Sequence, residues 1–316
     1  MSHSNTKAKH LLVVRRPSKR RQREGNPPFP PAFLSPLSDA VADNDAAPDV
    51  FSPRTRNSSE AVLAIIGSVM TTPWPYPRII AHRCGGALAP ENSLAGLGVA
   101  ARLGCRGVEF DVMLSGDGVP FLMHDETLER TTDGRGAVAQ TSYAATARLD
   151  AGAWFGVEFR GERVPSFEQT GKLCIELGLW ANIEIKPSPG FERDTGKATA
   201  SMTRVLWRDT TPAPLLSSFY SQALEAAHDA APELPRGLLV ERVPANWKIE
   251  MQRLNCVSLH CDHRHLTQSL ARAVKDSGYW LLCWTVNDPE TVRKLFSWGV
   301  DAIFTDRLDL IAPDFA

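Results

Sequence analysis

The sequence contains no apolar run close to the length of about 18 residues that a membrane-spanning helix requires, the nearest being the short stretch 61–69. It also contains no Cys-x-x-Cys pair, although it has six cysteines. A chain of 316 residues forms a large core without disulfide staples. We therefore expect buried, reduced thiols, a cytoplasmic location and no stable membrane association, while the even cysteine number leaves disulfides as the alternative. The cysteines are Cys84, Cys105, Cys174, Cys256, Cys261 and Cys283.

A strong excess of one charge is also absent, since the formal net charge is −1 at pH 7. Residues 1–69 carry ten Lys or Arg against six acids, which leaves 25 basic and 30 acidic residues for the remainder. A mildly acidic body argues against nucleic acid as the main partner. We expect a small-molecule substrate instead.

Residues 1–69 combine a basic start, a proline-rich segment at 27–31 and an acid- and alanine-rich segment at 39–49. This composition buries too little apolar surface to offset the entropy of ordering, so it predicts a disordered N-terminal extension. The alternative is that translation begins at Met70 and that the native protein lacks the extension. Mass spectrometry of the native N-terminus separates the two.

Between residues 76 and 316, strand-like and helix-like segments alternate through short links, a pattern typical of βαβ units and a parallel sheet. Eight strands with seven intervening helices match an α/β fold of the (β/α)₈ TIM-barrel type better than an open doubly wound sheet. The predicted strands are 78–83, 107–114, 180–187, 214–220, 236–243, 256–262, 279–286 and 301–305. The predicted helices are 92–104, 167–178, 194–208, 221–230, 247–254, 266–277 and 289–298.

One connection is too long for a regular barrel, because residues 115–166 separate the second strand from its helix. The segment begins with a hairpin-turn sequence at 115–118 and includes the aromatic pair Trp154 and Phe155. An insertion of this length at the catalytic end of a barrel is usually functional. We expect it to form a lid or a small subdomain over the mouth.

Two pairs of charged residues at i, i+2 spacing carry most of the chemical information. Alternate residues of a strand share a face, so Glu109 and Asp111 point one way and the apolar residues between them point the other. Glu184 and Lys186 repeat the pattern on a later strand. The carboxylates offer oxygen ligands for a hard cation, Mg²⁺ or Ca²⁺, and the absence of a clustered His and Cys set around them disfavours structural zinc.

Two histidines, His82 and His124, each end an apolar strand-like run. The strands of a barrel open onto one face at their C-terminal ends, so residues far apart in sequence meet there. Imidazoles titrate near neutral pH and suit proton transfer. Arg83 and Lys186 are candidate ligands for the anionic oxygens of a phosphate ester.

Seven short motifs follow one another in order, each at the end of a predicted strand or just after it, and together they resemble the glycerophosphodiester phosphodiesterase family of bacterial cytoplasmic type from about Arg78 to Asp309. The motifs are Ala81-His82-Arg83, Pro90-Glu91-Asn92-Ser93, Val108-Glu109-Phe110-Asp111-Val112, His124-Asp125, Glu184-Ile185-Lys186, Trp284-Thr285-Val286-Asn287 and Thr305-Asp306.

The resemblance implies a hydrolase of glycerol and lipid metabolism that converts diesters such as glycerophosphocholine or glycerophosphoethanolamine to sn-glycerol 3-phosphate and an alcohol. It implies that His82 and His124 exchange protons as general base and general acid. Glu91 is expected either to ligate the metal or to hold a ligand in place. Trp284 and Phe219 are expected to be either packing residues or a wall for the glycerol moiety.

Two other functions remain open at this level: a related barrel phospholipase that acts on membrane lipids, and a catalytically silent barrel that binds a phosphodiester. The sequence leaves undetermined the head-group preference, the physiological metal, the oligomeric state and the formation of a cyclic phosphate. Cys84 departs from the family pattern, which usually has glycine after the His-Arg pair. We therefore expect a backbone that does not freely adopt positive φ there and a thiol at the edge of the site.

Overall fold

The computed structural model describes residues 73–315, so the predicted disorder of residues 1–69 lies outside the described part of the chain. The strands are β1 (Ile79–Ala81), β2 (Gly107–Leu114), β3 (Pro120–Leu122), β4 (Trp180–Ile185), β5 (Leu215–Ser218), β6 (Arg236–Val240), β7 (Ser258–Asp262), β8 (Trp280–Trp284) and β9 (Ala302–Thr305). The helices are α1 (Leu94–Arg102), α2 (Tyr143–Thr146), α3 (Phe167–Glu176), α4 (Glu192–Leu206), α5 (Ser221–Ala230), α6 (Trp247–Arg253), α7 (Gln268–Asp276) and α8 (Pro289–Ser297).

The strands other than β3 run parallel and close into a barrel, because β1 pairs with β9 on one side and with β2 on the other. The short strand β3 pairs antiparallel with the end of β2 and lies outside the parallel ladder. Closure leaves no open sheet edge among the parallel strands. The predicted (β/α)₈ architecture is confirmed.

Strand β2 shows why the i, i+2 acids face the barrel interior. All eight of its residues are buried. Val108, Phe110 and Val112 point outward into a core shared with the surrounding helices, and the ring of Phe110 packs at a tilt against that of Phe167 of α3, with centroids 6.1 Å apart. Burying a side chain such as Phe110 contributes about 1.5–3 kcal/mol, which fixes the register of the strand. The alternation therefore places Glu109 and Asp111 on the inner face.

The helix ends follow the sequence signals. Ser93, Ser166 and Asp288 are the N-caps of α1, α3 and α8, and each accepts a hydrogen bond from a backbone N–H in the first turn. Pro289 occupies the first turn of α8. Glycine follows several helices at positive φ, where a side chain would be strained; these are Gly104, Gly178, Gly278 and Gly299.

The insertion at 115–166 packs its own small core. The predicted hairpin turn forms, with Gly118 N donating to Ser115 O at 2.9 Å, and it returns the chain through β3 to His124. The insertion is tied back to the barrel where the backbone N–H of Ala95, in the first turn of α1, donates to Glu162. The core residues are Met113, Phe121, Met123, Leu128, Val138, Ala151 and Val164.

His260 of β7 is fully buried inside the barrel, and its Nε2 lies 2.8 Å from Ser258 Oγ. Burial lowers the pKa of His260 from 6.5 to about 3. The chain continues from β7 into a 3₁₀-helix at His263–His265.

We expect this imidazole to make stability pH-dependent. The folded-state pKa of His260 lies below the unfolded value, so the unfolded chain takes up the proton first as the pH falls. The free energy of unfolding is therefore highest above pH 6.5 and decreases as the pH falls toward 3. The free energy of unfolding in urea should fall by about 1.4 kcal/mol per pH unit more in wild type than in His260→Gln within that window. Parallel slopes in the two proteins would contradict this expectation.

Candidate active site

A cavity of about 270 Å³ opens at the C-terminal ends of the parallel strands. It gathers most of the sequence-predicted site residues: His82, Arg83, Glu109, Asp111, His124, Glu184, Lys186, Phe219 and Trp284. A larger cavity of about 540 Å³ lies at the other end of the barrel, but among the described residues that line it Arg106 alone is charged. The chemistry therefore lies at the mouth that the strand ends share.

Three carboxylates form the centre of this cavity. Glu109, Asp111 and Glu184 each place an oxygen within 4.8 Å of the others. The parallel register of β2 and β4 causes this, because it pairs Asp111 with Glu184 and leaves Glu109 two residues deeper on the same face. Two strands thus bring together acids that are more than 70 residues apart in sequence.

The carboxylates are held in a like-charged, water-poor environment. Burial and the negative charge of Asp111 raise the pKa of Glu184 to about 7 and raise that of Glu109 well above its ordinary value. Burial also opposes the charge of Asp111, but the Lys186 and Arg83 cations hold its pKa below the ordinary value. Such a cluster is stabilised by a positive charge at its centre.

The donor set fits a hard divalent cation. Asp111 Oδ1 is buried and accepts no hydrogen bond from the described residues, its nearest cation being Lys186 Nζ at 3.7 Å. Its other oxygen, Oδ2, accepts a hydrogen bond from Asn92 Nδ2 at 2.8 Å, which fixes the carboxylate. Mg²⁺ and Ca²⁺ both prefer oxygen ligands of this kind.

His82 ends β1 and is held by a carboxylate from the opposite end of the chain. Its Nδ1 lies 2.7 Å from Asp306 Oδ1, and since a carboxylate only accepts, Nδ1 donates the proton. Asn287 Nδ2 donates to the second oxygen of Asp306 at 2.9 Å. The ring nitrogen Nε2 faces the carboxylate cluster, 4.0 Å from Glu109 Oε2.

His124 is supplied by the insertion, just beyond β3. Its Nδ1 donates to Asp125 Oδ1 at 2.8 Å, and its Nε2 accepts from Lys186 Nζ at 2.8 Å. Burial, together with the Arg83 and Lys186 cations, lowers the pKa of His124 against the pull of Asp111. The imidazole is therefore neutral at pH 7, with its proton on Nδ1.

Glu91 lies beside the carboxylate cluster but is engaged by two arginines. Arg83 Nη1 donates to it at 3.0 Å, and Arg130 donates to both of its oxygens at 2.7 and 2.8 Å. Arg130 also pairs with Asp125. These contacts hold Arg83 in place, and the expectation that Glu91 ligates the metal or holds a metal ligand stays a prediction.

The sequence interpretation gave no role to several residues that support the site. Ser93 caps α1, and the side chain of Asn92 hydrogen-bonds to both the carboxylate and the backbone N–H of Asp111. Asp306 and Asn287 lie within two of the seven family motifs, and that membership was the signal in the sequence that could have identified them. Arg130 lies in no motif, and only the tertiary contacts identify it.

The expectations for Cys84 are wrong. Its backbone adopts φ +74, within the left-handed region that usually favours glycine, and Arg83 before it has φ +48. The thiol is fully buried in the outer core with Leu97, away from the catalytic cavity, and burial raises its pKa well above the ordinary value. A hydrogen bond from Cys84 N to Glu109 O, 2.7 Å long, holds the tight turn in this conformation. All six cysteines are buried and unpaired.

Two aromatic rings form the side of the cavity opposite the insertion. Phe219 and Trp284 meet edge to face, with ring centroids 5.6 Å apart. Trp284 Nε1 is buried and finds no hydrogen-bond acceptor within residues 73–315. A buried donor without an acceptor favours the wall interpretation over simple packing, since a bound hydroxyl would satisfy it.

A closed (β/α)₈ barrel with carboxylates, histidines and two cations around one mouth defines a TIM-barrel enzyme whose site suits a phosphate ester. Residues 82–310 match the Glycerophosphoryl diester phosphodiesterase family, and the chain belongs to that family. The resemblance inferred from the seven motifs is thereby confirmed.

Named relatives agree with this assignment. A glycerophosphodiester phosphodiesterase of Caldanaerobacter subterraneus subsp. tengcongensis is 34% identical over 72% of this chain and 93% of its own. A Bacillus subtilis glycerophosphodiester phosphodiesterase is 29% identical over 73% of this chain and 84% of its own. A solved Oleispira antarctica phosphodiesterase in complex with the product sn-glycerol-3-phosphate is 37% identical, with TM-score 0.69, covering 73% of this chain and 93% of its own.

Among residues 73–315, no helix has the length and apolarity to cross a membrane.

Proposed function

We propose that this protein hydrolyses glycerophosphodiesters, such as glycerophosphocholine and glycerophosphoethanolamine, to sn-glycerol 3-phosphate and a free alcohol, with Mg²⁺ or Ca²⁺ as cofactor. The observation that carries the proposal is the group of three buried carboxylates within 4.8 Å of one another, beside two cations and two histidines, in a chain of this family. The product bound to the Oleispira antarctica relative supports the choice of substrate.

Glu109, Asp111 and Glu184 would hold the metal ion. When bound, the ion neutralises charge on a phosphoryl oxygen and makes phosphorus more electrophilic. Arg83 and Lys186 bind the remaining anionic oxygens. Burial opposes the charge of Lys186, but Asp111 and Glu184 raise its pKa, so the ammonium stays charged at the mouth.

The two histidines have different proton-transfer roles. His124 is neutral, so it is suited to be the general base once the substrate phosphate draws Lys186 away from Nε2. His82 Nδ1 donates a hydrogen bond to Asp306 Oδ1, which orients the ring with Nε2 toward the carboxylate cluster and places it to act as the general acid for the leaving alkoxide.

The glycerol moiety lies against Trp284 and Phe219, where Trp284 Nε1 donates to a glycerol hydroxyl. Residues 76–316 form the catalytic domain, and the insertion 115–166 contributes His124 and Arg130 to it. The buried, unpaired cysteines support a location in the reducing cytoplasm.

The test is a panel of glycerophosphodiesters assayed for sn-glycerol 3-phosphate with Mg²⁺, Ca²⁺ and other divalent ions, and with EDTA. We expect release with at least one ion and loss of activity in EDTA that the same ion restores. Failure to release glycerol 3-phosphate from any diester overturns the proposal. Tight binding without turnover favours the silent barrel, and activity confined to lipid vesicles favours the phospholipase.

Asp306→Asn tests the positioning of His82. Asparagine presents an amide that does not stabilise an imidazolium, so we expect kcat to fall about 10- to 100-fold with little change in KM. The pH profile of kcat should change on the side set by the general acid. Asp309→Asn is the matched control, since Asp309 pairs with Arg307 on the surface. Equal values of kcat for Asp306→Asn and Asp309→Asn would contradict the positioning role of Asp306.

A further inference from the structure

A second cavity, of about 340 Å³, adjoins the catalytic one. His82 and Arg83 line both cavities, so they form the boundary between them. The far wall of the second cavity is the insertion, through Trp154 and Phe155, and the near wall includes Glu91 and Asp306. We call it the side cavity.

The side cavity lies where the leaving group of the proposed reaction would go. A phosphodiester carries two alcohol moieties, and Trp284 with Phe219 occupies the side of the catalytic cavity assigned to glycerol. The other alcohol must extend past the phosphate-binding Arg83. His82, the proposed general acid, lies at that boundary and is placed to protonate the departing oxygen.

The aromatic wall is fixed before any ligand arrives. Trp154 and Phe155 meet at right angles, with centroids 5.6 Å apart and an interplanar angle of 88°. Trp154 Nε1 donates to Ala151 O at 2.8 Å, so the polar atom of the indole is already used. Phe155 is held in turn by Phe159, 5.4 Å away. Trp154 nevertheless remains 42% exposed, so part of its ring surface is available to a ligand.

Hydrogen bonds to the side chain of Asp150 hold the loop that carries these rings. Asp150 accepts hydrogen bonds from the backbone N–H groups of Gly152, Ala153 and Gly161 at 2.8–2.9 Å. A Cβ at Gly152 would lie 1.9 Å from Phe159 O, so only glycine permits this fold of the loop. A preformed wall loses little conformational entropy on binding.

The chemistry of the side cavity matches an organic cation. Trp154 remains 42% exposed, an unusual fraction for a large ring fixed in place, and it faces a lining with the carboxylates of Glu91 and Asp306. Among the described residues of the lining, the carboxylates are already paired: Glu91 with Arg83 at 3.0 Å and with Arg130 at 2.7 Å, and Asp306 with His82 at 2.7 Å. The aromatic rings therefore offer the attraction that is still available to a cation. An exposed aromatic ring attracts ammonium groups through its quadrupole.

Resting on the proposed function, we propose that the side cavity binds the alkylammonium end of the leaving alcohol, and that Trp154 determines specificity for diesters with a cationic head group. A volume of about 340 Å³ accommodates a group of the size of choline. The insertion thereby supplies both the base, His124, and the head-group subsite.

The experiment compares two esters of sn-glycerol 3-phosphate that have the same shape and different charge. One carries choline and the other carries 3,3-dimethylbutanol, in which a tert-butyl group replaces the trimethylammonium. We expect wild type to favour the choline ester in kcat/KM by about 5- to 30-fold, the range that corresponds to about 1–2 kcal/mol of cation–π interaction. Trp154→Leu keeps apolar bulk without a ring and should bring the ratio close to 1.

Two further variants serve as an intermediate case and a control. Trp154→Phe retains a smaller ring and should keep an intermediate ratio, which also covers the case in which Trp154→Leu does not fold. Val157→Ala is the matched control, because Val157 is 75% exposed in the same insertion and lines neither cavity. We expect the wild-type ratio for it.

A wild-type ratio near 1, or an unchanged ratio in Trp154→Leu, overturns the subsite. Loss of binding to phosphatidylcholine vesicles in Trp154→Leu with an unchanged ratio overturns it in favour of a membrane contact. If neither ester is hydrolysed with any divalent ion, the proposed function itself fails. That outcome differs from hydrolysis of both esters without preference, in which the function stands and the subsite fails.

Discussion

We expect His124→Ala to lower kcat by about 10²- to 10⁴-fold, the usual range for a lost proton-transfer group. Nε2 of His124 is the proposed base, and the contacts of Asp125 and Lys186 keep the imidazole neutral and oriented. The variant should fold, since His124 is partly exposed at the mouth. His265→Ala is a suitable control because His265 lies after β7, outside both cavities.

A change of leaving group separates the two histidines. The p-nitrophenyl ester of sn-glycerol 3-phosphate releases a phenolate that needs no protonation, so it should restore much of the activity of His82→Ala and little of the activity of His124→Ala. Rescue of both variants, or of His124→Ala alone, would contradict the assigned roles. A cyclic phosphate product in this assay would identify the glycerol 2-hydroxyl as the first nucleophile.

We expect Glu184→Gln to abolish metal-dependent turnover and to stabilise the metal-free protein. A bound divalent ion contributes several kcal/mol to transition-state stabilisation, so loss of one of its three carboxylates should lower activity on the order of 10³-fold at sub-millimolar Mg²⁺. The pKa of Glu184, raised from 4.5 to about 7 by burial and Asp111, corresponds to on the order of 3 kcal/mol against the ionised form in the folded state.

The sign of the stability effect follows from that shift. The folded-state pKa of Glu184 lies above its unfolded value. The free-energy cost of ionising Glu184 in the folded protein is therefore absent below pH 4.5 and complete above pH 7. Urea unfolding in EDTA at pH 8 should therefore show Glu184→Gln to be more stable than wild type, and added Mg²⁺ should stabilise wild type more strongly. Glu176→Gln, at the exposed end of α3, is the control. Lower stability of Glu184→Gln in EDTA would contradict the like-charge interpretation.

The barrel and the acidic cluster were predictable because both depend on local periodicity. Period-2 alternation assigned the faces of β2 and β4, and a closed parallel sheet collects strand ends at one mouth. The helix ends at Ser166, Asp288 and Gly104 were marked by cap residues whose effect is local. Residues 109, 111 and 184 therefore met where the spacing predicts.

Contacts that depend on long-range closure were not predictable. His82 and Asp306 are 224 residues apart and meet only because β1 and β9 are neighbours in the closed sheet. Arg130 reaches Glu91 only because the insertion folds back over the mouth. No periodicity indicates that Cys84 would adopt positive φ, since hydrogen bonding in the turn overrides the preference of a single residue.

The sequence by itself determined the family, the parallel α/β architecture and the identity of the chemical groups, because alternation and strand-end motifs are properties of short segments. The tertiary structure alone decided how those groups are held: which carboxylate orients which histidine, which arginines restrain Glu91, and how Trp154 and Phe155 form a wall beside His82. The physical reason is that periodicity assigns a side chain to a face, whereas its partners depend on register, closure and the path of a long insertion.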